Sequence, residues 1–410
     1  MRIAIIGSGV SGLVAARLLH EQHEVTVFEA RDRVGGHIHT IDVLDGSGRT
    51  HGVDIGFIVH NAHNYPLFTK LLDELGVESQ VSDMSFGVRC DRTGVEYSTA
   101  TVRSLFAQVS NAWSPAFIRM VRDILRFNRS APEVLAAGRA GETLREYLER
   151  GGYGERLLRH YLEPMGSALW SIPRGSVLDM PVEFFVRFFA NHQMLSEREE
   201  PEWRVIRGGS RRYMEALIAP FRDRIRTNSR VRSVRRSAET VAVDDKLFDS
   251  VVFACHSDQV IGMLADPTPK ERAVLGSLPY QKNEVVLHTD TSLLPKSRTA
   301  WASWNYRISS AVDAAATVTY NMNRLQSIDS IDTFCVTLND TDSISPDRIL
   351  YKTVFRHPRF TLAGIEAQKR RNEISGRNRT HYCGAYWGFG FHEDGVRSGV
   401  DVARAFGVAG

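Results

Sequence analysis

Short apolar runs separated by polar or glycine-rich turns set the pattern of the first eighty positions. Ile3-Ala4-Ile5-Ile6 predicts a buried strand. Beyond Gly12, Leu13, Ala16 and Leu19 recur at helical spacing, and Val25-Thr26-Val27-Phe28 predicts a second strand. Asn64 to Val77 reads as a helix and its turn, with Pro66 in the first helical turn and Gly76 at the stop. From about 100 to 200 the pattern turns helical and rich in Arg, Leu and Phe, with Phe184–Phe189 as the densest apolar run. Strands are predicted again over Thr227–Val234, Val241–Val243 and Phe248–Ala254. A second sheet is predicted from Glu284–Leu287, Thr317–Tyr320, Phe334–Thr337 and Tyr351–Val354. Alternating strands and helices place the chain in the α/β class.

With 410 residues the chain is too long for one ordinary domain, so two are expected, interleaved or in series. Hydrophobic residues at 43% and charged residues at 24% exclude a disordered chain. Fifty-one basic against 48 acidic residues leave +3, which gives no bulk attraction to nucleic acid. Cys90, Cys255, Cys335 and Cys383 lie far apart, with no metal-ligand spacing, so no metal is expected and a reducing cytoplasm fits best. The apolar run at Met1 is too short for a signal peptide, and no run of about 18 apolar residues could span a bilayer. Peripheral membrane contact stays open, because residues 101–160 carry ten arginines against six carboxylates.

The first forty residues carry the strongest chemical signal. Gly7-Ser8-Gly9-Val10-Ser11-Gly12 lies between a strand and a helix, and Glu29 closes the second strand. This is the order a dinucleotide site requires. Gly7 permits the tight turn, Gly9 lets backbone approach a pyrophosphate, and Gly12 lets helix and strand pack closely. Free amides at the helix start, including those of Val10 and Ser11, present positive charge to the phosphates. Glu29 would accept from the adenosine ribose hydroxyls.

The continuation, Glu29-Ala30-Arg31-Asp32-Arg33-Val34-Gly35-Gly36-His37, resembles the E-A-x-x-R-x-G-G-R segment of the flavoprotein superfamily of amine oxidases, protoporphyrinogen oxidase and phytoene desaturases. A bacterial branch of NAD/FAD-binding oxidoreductases is the nearest likeness. The resemblance implies FAD, with Ala30, Arg31, Arg33, Gly35, Gly36 and His37 in the loop that serves its phosphates and ribitol. His37 stands where the family usually has arginine. Gly56, Phe57 and Ile58 match the turn whose backbone passes the flavin ring, and Val231 the residue that pairs with adenine. Gly384, Gly395 and Val396 match the C-terminal flavin signature, whose helix points its positive end at the flavin. Ala385 replaces the family's usual acidic residue. The implied fold is a Rossmann-like FAD-binding domain (GR2 type) interleaved with an α+β substrate domain containing a mixed sheet and helical cap. The expected segments are 1–80, 201–270 and 376–410 for FAD, with 81–200 (cap) and 271–375 (sheet) for substrate.

Many amine-oxidising members carry lysine near the flavin in an N-K-V segment; here Asn283-Glu284-Val285 occupies the apparent counterpart. Glu284 is therefore a candidate proton acceptor, with His392 as a second acid/base candidate and Tyr386, Trp387 and Phe389 as substrate-contacting aromatics. The expected activity is dehydrogenation or desaturation of a hydrophobic small molecule, a fatty-acyl or other lipid chain, with hydride passing to flavin N5 and then to oxygen or another acceptor. The alternative is an amine oxidase releasing imine and hydrogen peroxide; a non-catalytic flavin-binding protein is the third reading.

Overall fold

The computed structural model describes residues 1–137, 141–170, 175–195, 201–309 and 317–408; the expected segment ends at 200 and 410 lie outside them. Five parallel strands form the first sheet, in the order Ile225–Arg226, Glu24–Phe28, Arg2–Ile6, Ser250–Phe253, Thr380–Tyr382. Residues 3 to 5 are completely buried because this sheet is covered on both faces. Ile3 and Ile5 face the helices Val10–Leu19 and His392–Ala405, whereas Ala4 and Ile6 face a small antiparallel sheet of Val234–Arg236, Val241–Val243 and Lys246–Phe248. That alternation is the period of two expected of a strand.

Two predicted strands differ from the structure. Thr227 to Ser233 is irregular chain, its backbone hydrogen-bonded along the end of the second strand: Asn228 N–H donates to Arg31 O and Ser229 N–H to Glu29 O. Phe248 and Ser250, read as one strand, belong to different sheets.

The second sheet has seven strands in the order Ile349–Pro358, Tyr280–His288, Cys335–Leu338, Thr317–Asn321, Trp304–Ile308, Phe86–Cys90, Glu96–Ser98. All its neighbours are antiparallel except Trp304–Ile308 with Phe86–Cys90, so the sheet is mixed. Helices Pro115–Ser130, Leu144–Arg150, Glu163–Trp170 and Val182–Asn191 contribute to one continuous core with it. Phe185, Phe188 and Phe189 are fully buried there, and the Phe184–Phe189 run is helical.

Asp54 ties the two layers together. Its buried carboxylate accepts from Thr40 Oγ1 (2.5 Å), Ser210 Oγ (2.7 Å), Ser210 N–H (2.9 Å) and Gln326 Nε2 (3.1 Å), and its own N–H donates to Gln326 Oε1. Burial pushes its pKa up to about 6, against the lowering effect of these donors.

Candidate cofactor and substrate site

Local geometry at the first glycine turn leaves room for an anion. Gly7 has φ +110°, which favours glycine, and a Cβ there would lie 2.7 Å from Ala254 O. A Cβ on Gly12 would meet Gly7 O at 2.2 Å, while one on Gly9 would point into open space. No side chain caps the helix Val10–Leu19 and its first turn holds no acid. Among the described residues the amides of Val10, Ser11 and Gly12 have no acceptor, so the helix start offers donors and a positive dipole end.

Glu29 meets this turn from the second strand. Ser8 N–H and Ser8 Oγ both donate to Glu29 Oε2, and Arg31 N–H donates to Oε1 at 2.9 Å. Ser8 Oγ in turn accepts from Gly35 N–H at 3.2 Å. Sequence reasoning passed over Ser8, since a serine inside a glycine motif carries no spacing signal of its own.

The second glycine pair packs directly on the first turn, with a Cβ on Gly36 falling 3.1 Å from Gly9 Cα. Arg33 donates through Nη2 to Gly36 O (2.8 Å) and through Nη1 to Ile38 O (3.3 Å), so its guanidinium shapes this loop from within. Ala30 and Arg31 stay exposed at its edge. Gly56 sits so close that a Cβ would reach His37 O at 2.1 Å, and Phe57 N–H donates to the same carbonyl. Ile58 is buried in the substrate-domain core. Val231 is buried in one core cluster with Ala4 and Phe28, and among the described residues its backbone polar groups have no partner.

At the C-terminal segment, Gly384 N–H donates to Ser398 Oγ at 2.8 Å. Gly395 lies across the first helix, where a Cβ would meet Val10 Cγ1 at 2.6 Å, and Val396 is buried beside it. The structure corrects the role expected of His392. Its ring stacks on Phe57 (3.5 Å between centroids), Nε2 is paired with the Tyr213 hydroxyl, and burial drives its pKa down to about 3. It is a neutral packing residue whose Nε2 is already committed. Glu393, beside it, caps another helix by accepting from the amides of Leu67 and Phe68.

Glu284 is corrected as well. Along Tyr280–His288, Asn283, Val285 and Leu287 are buried on the core side, whereas Glu284 is exposed on the opposite face and accepts from Thr341 Oγ1 at 2.7 Å. One position on a strand reverses the face. Asn283 instead points inward, donating through Nδ2 to His357 Nδ1 at 2.7 Å. His357 and Phe355 lie 5.2 and 4.7 Å from the His37 ring, and His256 lies 6.1 Å from it. Burial holds His256 and His357 down to about 4 and His37 further below its usual value. Among the described residues, buried His37 Nε2, His256 Nδ1 and Tyr386 Oη have no hydrogen-bond partner.

The three expected substrate aromatics do not share one surface. Tyr386 is buried with its ring against Gly384, and Trp387 packs toward the FAD-side core under the Arg371 guanidinium. Phe389 alone joins the helical cap, 4.9 Å from Phe184, which itself stacks on Phe360 at 5.1 Å. The turn between Trp387 and Phe389 sends the side chains to different layers.

Residues 10–314 match the family described as flavin containing amine oxidoreductase. The chain belongs to that family. The residues of both glycine loops, Glu29 and Val231 fit FAD, and this family member is an FAD-dependent oxidoreductase. Probable polyamine oxidase 4 of Arabidopsis thaliana is 62% identical over 39 residues, 9% of this chain and 8% of the relative. Flavin-containing amine oxidase B of Bos taurus is 39% identical over 79 residues, 19% of this chain and 14% of the relative. The matches to these curated relatives thus span less than a fifth of their length. A CLA-producing fatty acid isomerase from P. acnes superposes with TM-score 0.70 at 16% identity, covering 99% of both chains. Putrescine oxidase bound to putrescine does so with TM-score 0.69 at 15% identity, again over 99% of both. These likenesses show a shared fold.

Proposed function

We propose that this oxidoreductase dehydrogenates an apolar, acyl-type chain. The observation that carries the reading is the inward face of Tyr280–His288, whose core-side positions Gln281, Asn283, Val285 and Leu287 hold no ionisable group. Where amine-oxidising relatives resemble one another in a lysine, this chain turns a neutral amide inward and its acid outward. The buried surface it shares is aromatic, with Phe360, Phe184, Phe389, Phe188 and Phe391 in successive ring contact. Such a wall excludes water and offers a long apolar substrate area to bury.

FAD, when bound, supplies the hydride acceptor, and oxygen or another oxidant reoxidises it. The chain's own part is to hold the cofactor through the open amides of the first helix and the Glu29 carboxylate. Asn283 fixes the orientation of His357, and the aromatic wall positions the chain to be oxidised.

One observation favours the amine-oxidase alternative: the neutral imidazoles of His37, His256 and His357 would tolerate an uncharged amine. Product analysis separates the two. Incubation of holoenzyme with an acyl lipid and an oxidant should yield a product short of two hydrogens at a new double bond. Imine or aldehyde with peroxide from amines, and unaltered lipid, would replace this reading by the alternative.

A further inference from the structure

Three of the described large hydrophobic residues are more exposed than all the others: Trp113 at 82%, and Val102 and Val109 at 76% each. They fall within twelve residues of sequence, at the entrance to the helical cap. Val109 and Trp113 are four apart on one short helix, Val109–Trp113, and therefore share a face. The opposite face of that helix is anchored by buried Asn111, whose Nδ2 donates to Glu96 O at 3.0 Å. Val102 lies on the preceding helix, Val102–Leu105, held down by buried Ser104.

The long helix that follows, Pro115–Ser130, buries Phe117, Met120, Asp123 and Phe127 and turns Arg119, Arg122, Leu125 and Arg126 outward. Residues 101–130 hold five arginines and one aspartate. Among the described residues Arg103 and Arg122 are exposed with no carboxylate partner. Apolar residues held out in water, in one segment with unpaired guanidinium groups, suit a surface that is apolar beneath and anionic above. A bilayer interface receives the indole and valines at the acyl boundary, while anionic headgroups pair with the arginines. No helix among the described residues is long and apolar enough to cross a membrane.

We propose that the exposed Val102, Val109 and Trp113, with the exposed Arg103 and Arg122 of the same 101–130 segment, dock the protein peripherally on an anionic phospholipid bilayer. Docking is independent of what the flavin oxidises, so it stands or falls apart from the substrate reading. The valines and indole insert only to the depth of the headgroup and upper acyl region. The arginines select for anionic lipid and make binding sensitive to salt.

The test is flotation of the FAD-loaded protein with phosphatidylcholine vesicles, with and without phosphatidylglycerol, at low and high salt. The expected result is binding to the phosphatidylglycerol vesicles, weakened by salt. Arg103→Glu with Arg122→Glu should lower partitioning by at least about tenfold. Trp113→Ser should also lower it while leaving melting temperature and flavin content unchanged, since that side chain packs little against the fold. In the unsubstituted protein, brominated acyl chains should quench tryptophan fluorescence, and the Trp113→Phe protein should lose that quenching. Equal binding by all variants, or no binding to either vesicle, overturns the proposal. Self-association abolished by Trp113→Ser also overturns it and makes this face an interface between copies of the chain.

Discussion

Asn283 and Glu284, neighbours on one strand, face opposite sides of the seven-stranded sheet: Asn283 donates to His357 Nδ1 in the interior and Glu284 accepts from Thr341 at the surface. Accepting from Asn283 fixes His357 as the neutral tautomer with its proton on Nε2, in keeping with a pKa near 4. Glu284→Gln is therefore expected to leave the rate of anaerobic flavin reduction unchanged. Asn283→Ala should slow it by roughly ten- to a hundredfold through loss of a positioned histidine. Stopped-flow reduction of the two variants decides this, and a slow Glu284→Gln enzyme would restore the acid to the site.

Glu29→Ala removes charge-assisted hydrogen bonds of order 1.5–3 kcal/mol. The dissociation constant for FAD should rise by roughly ten- to a hundredfold or somewhat more. Ser8→Ala keeps the carboxylate but unties it from the Gly35 loop, so a smaller loss of affinity is expected. Fluorescence titration of deflavinated protein measures both.

Two glycines of the same motif should separate folding from cofactor binding. Gly12→Ala pushes a methyl group to within 2.2 Å of Gly7 O and should lower the melting temperature even without FAD. Gly9→Ala meets open space, so the flavin-free protein should melt normally while FAD binds weakly. Thermal scans with and without FAD read the two effects apart.

Acid should destabilise the fold well above the carboxylate range. His39, His60, His192, His256, His288, His357 and His381 are held down to about 4, chiefly by burial. Below about 6.5 the unfolded chain binds protons that the folded chain refuses, so stability falls as pH drops from there toward about 4. Asp54, raised to about 6, and Glu393 and Asp394, also raised by burial, oppose this trend, but the seven imidazoles outnumber them. The melting temperature should fall steadily across that window, and a flat profile would contradict the burial of these imidazoles.

The cofactor half of the site was legible because its signals are local. Gly7, Gly9, Gly12 and Glu29 lie within a single strand–helix–strand unit, and their spacing alone dictates the turn and the open helix end. The substrate half depends on register and long-range assembly. Whether Asn283 or Glu284 faces inward is set by pairing with Ile349–Pro358, and the sequence of one strand does not reveal it. His37, His256 and His357 meet across more than three hundred residues of chain, with no shared motif to announce them. Val231 is buried although Thr227–Ser233 formed no strand, because it joins the core cluster of Ala4 and Phe28. The aromatics from Tyr386 to Phe389 looked like one cluster, but a turn divides them between two layers.

The most direct test of an apolar, acyl-type substrate is anaerobic reduction of the protein-bound flavin, followed by loss of its yellow absorbance on mixing with acyl lipids or with mono- and polyamines. The account predicts bleaching by an acyl lipid, at a rate that saturates with its concentration, and no bleaching by amines. Rapid bleaching by an amine with none by acyl lipids would contradict it.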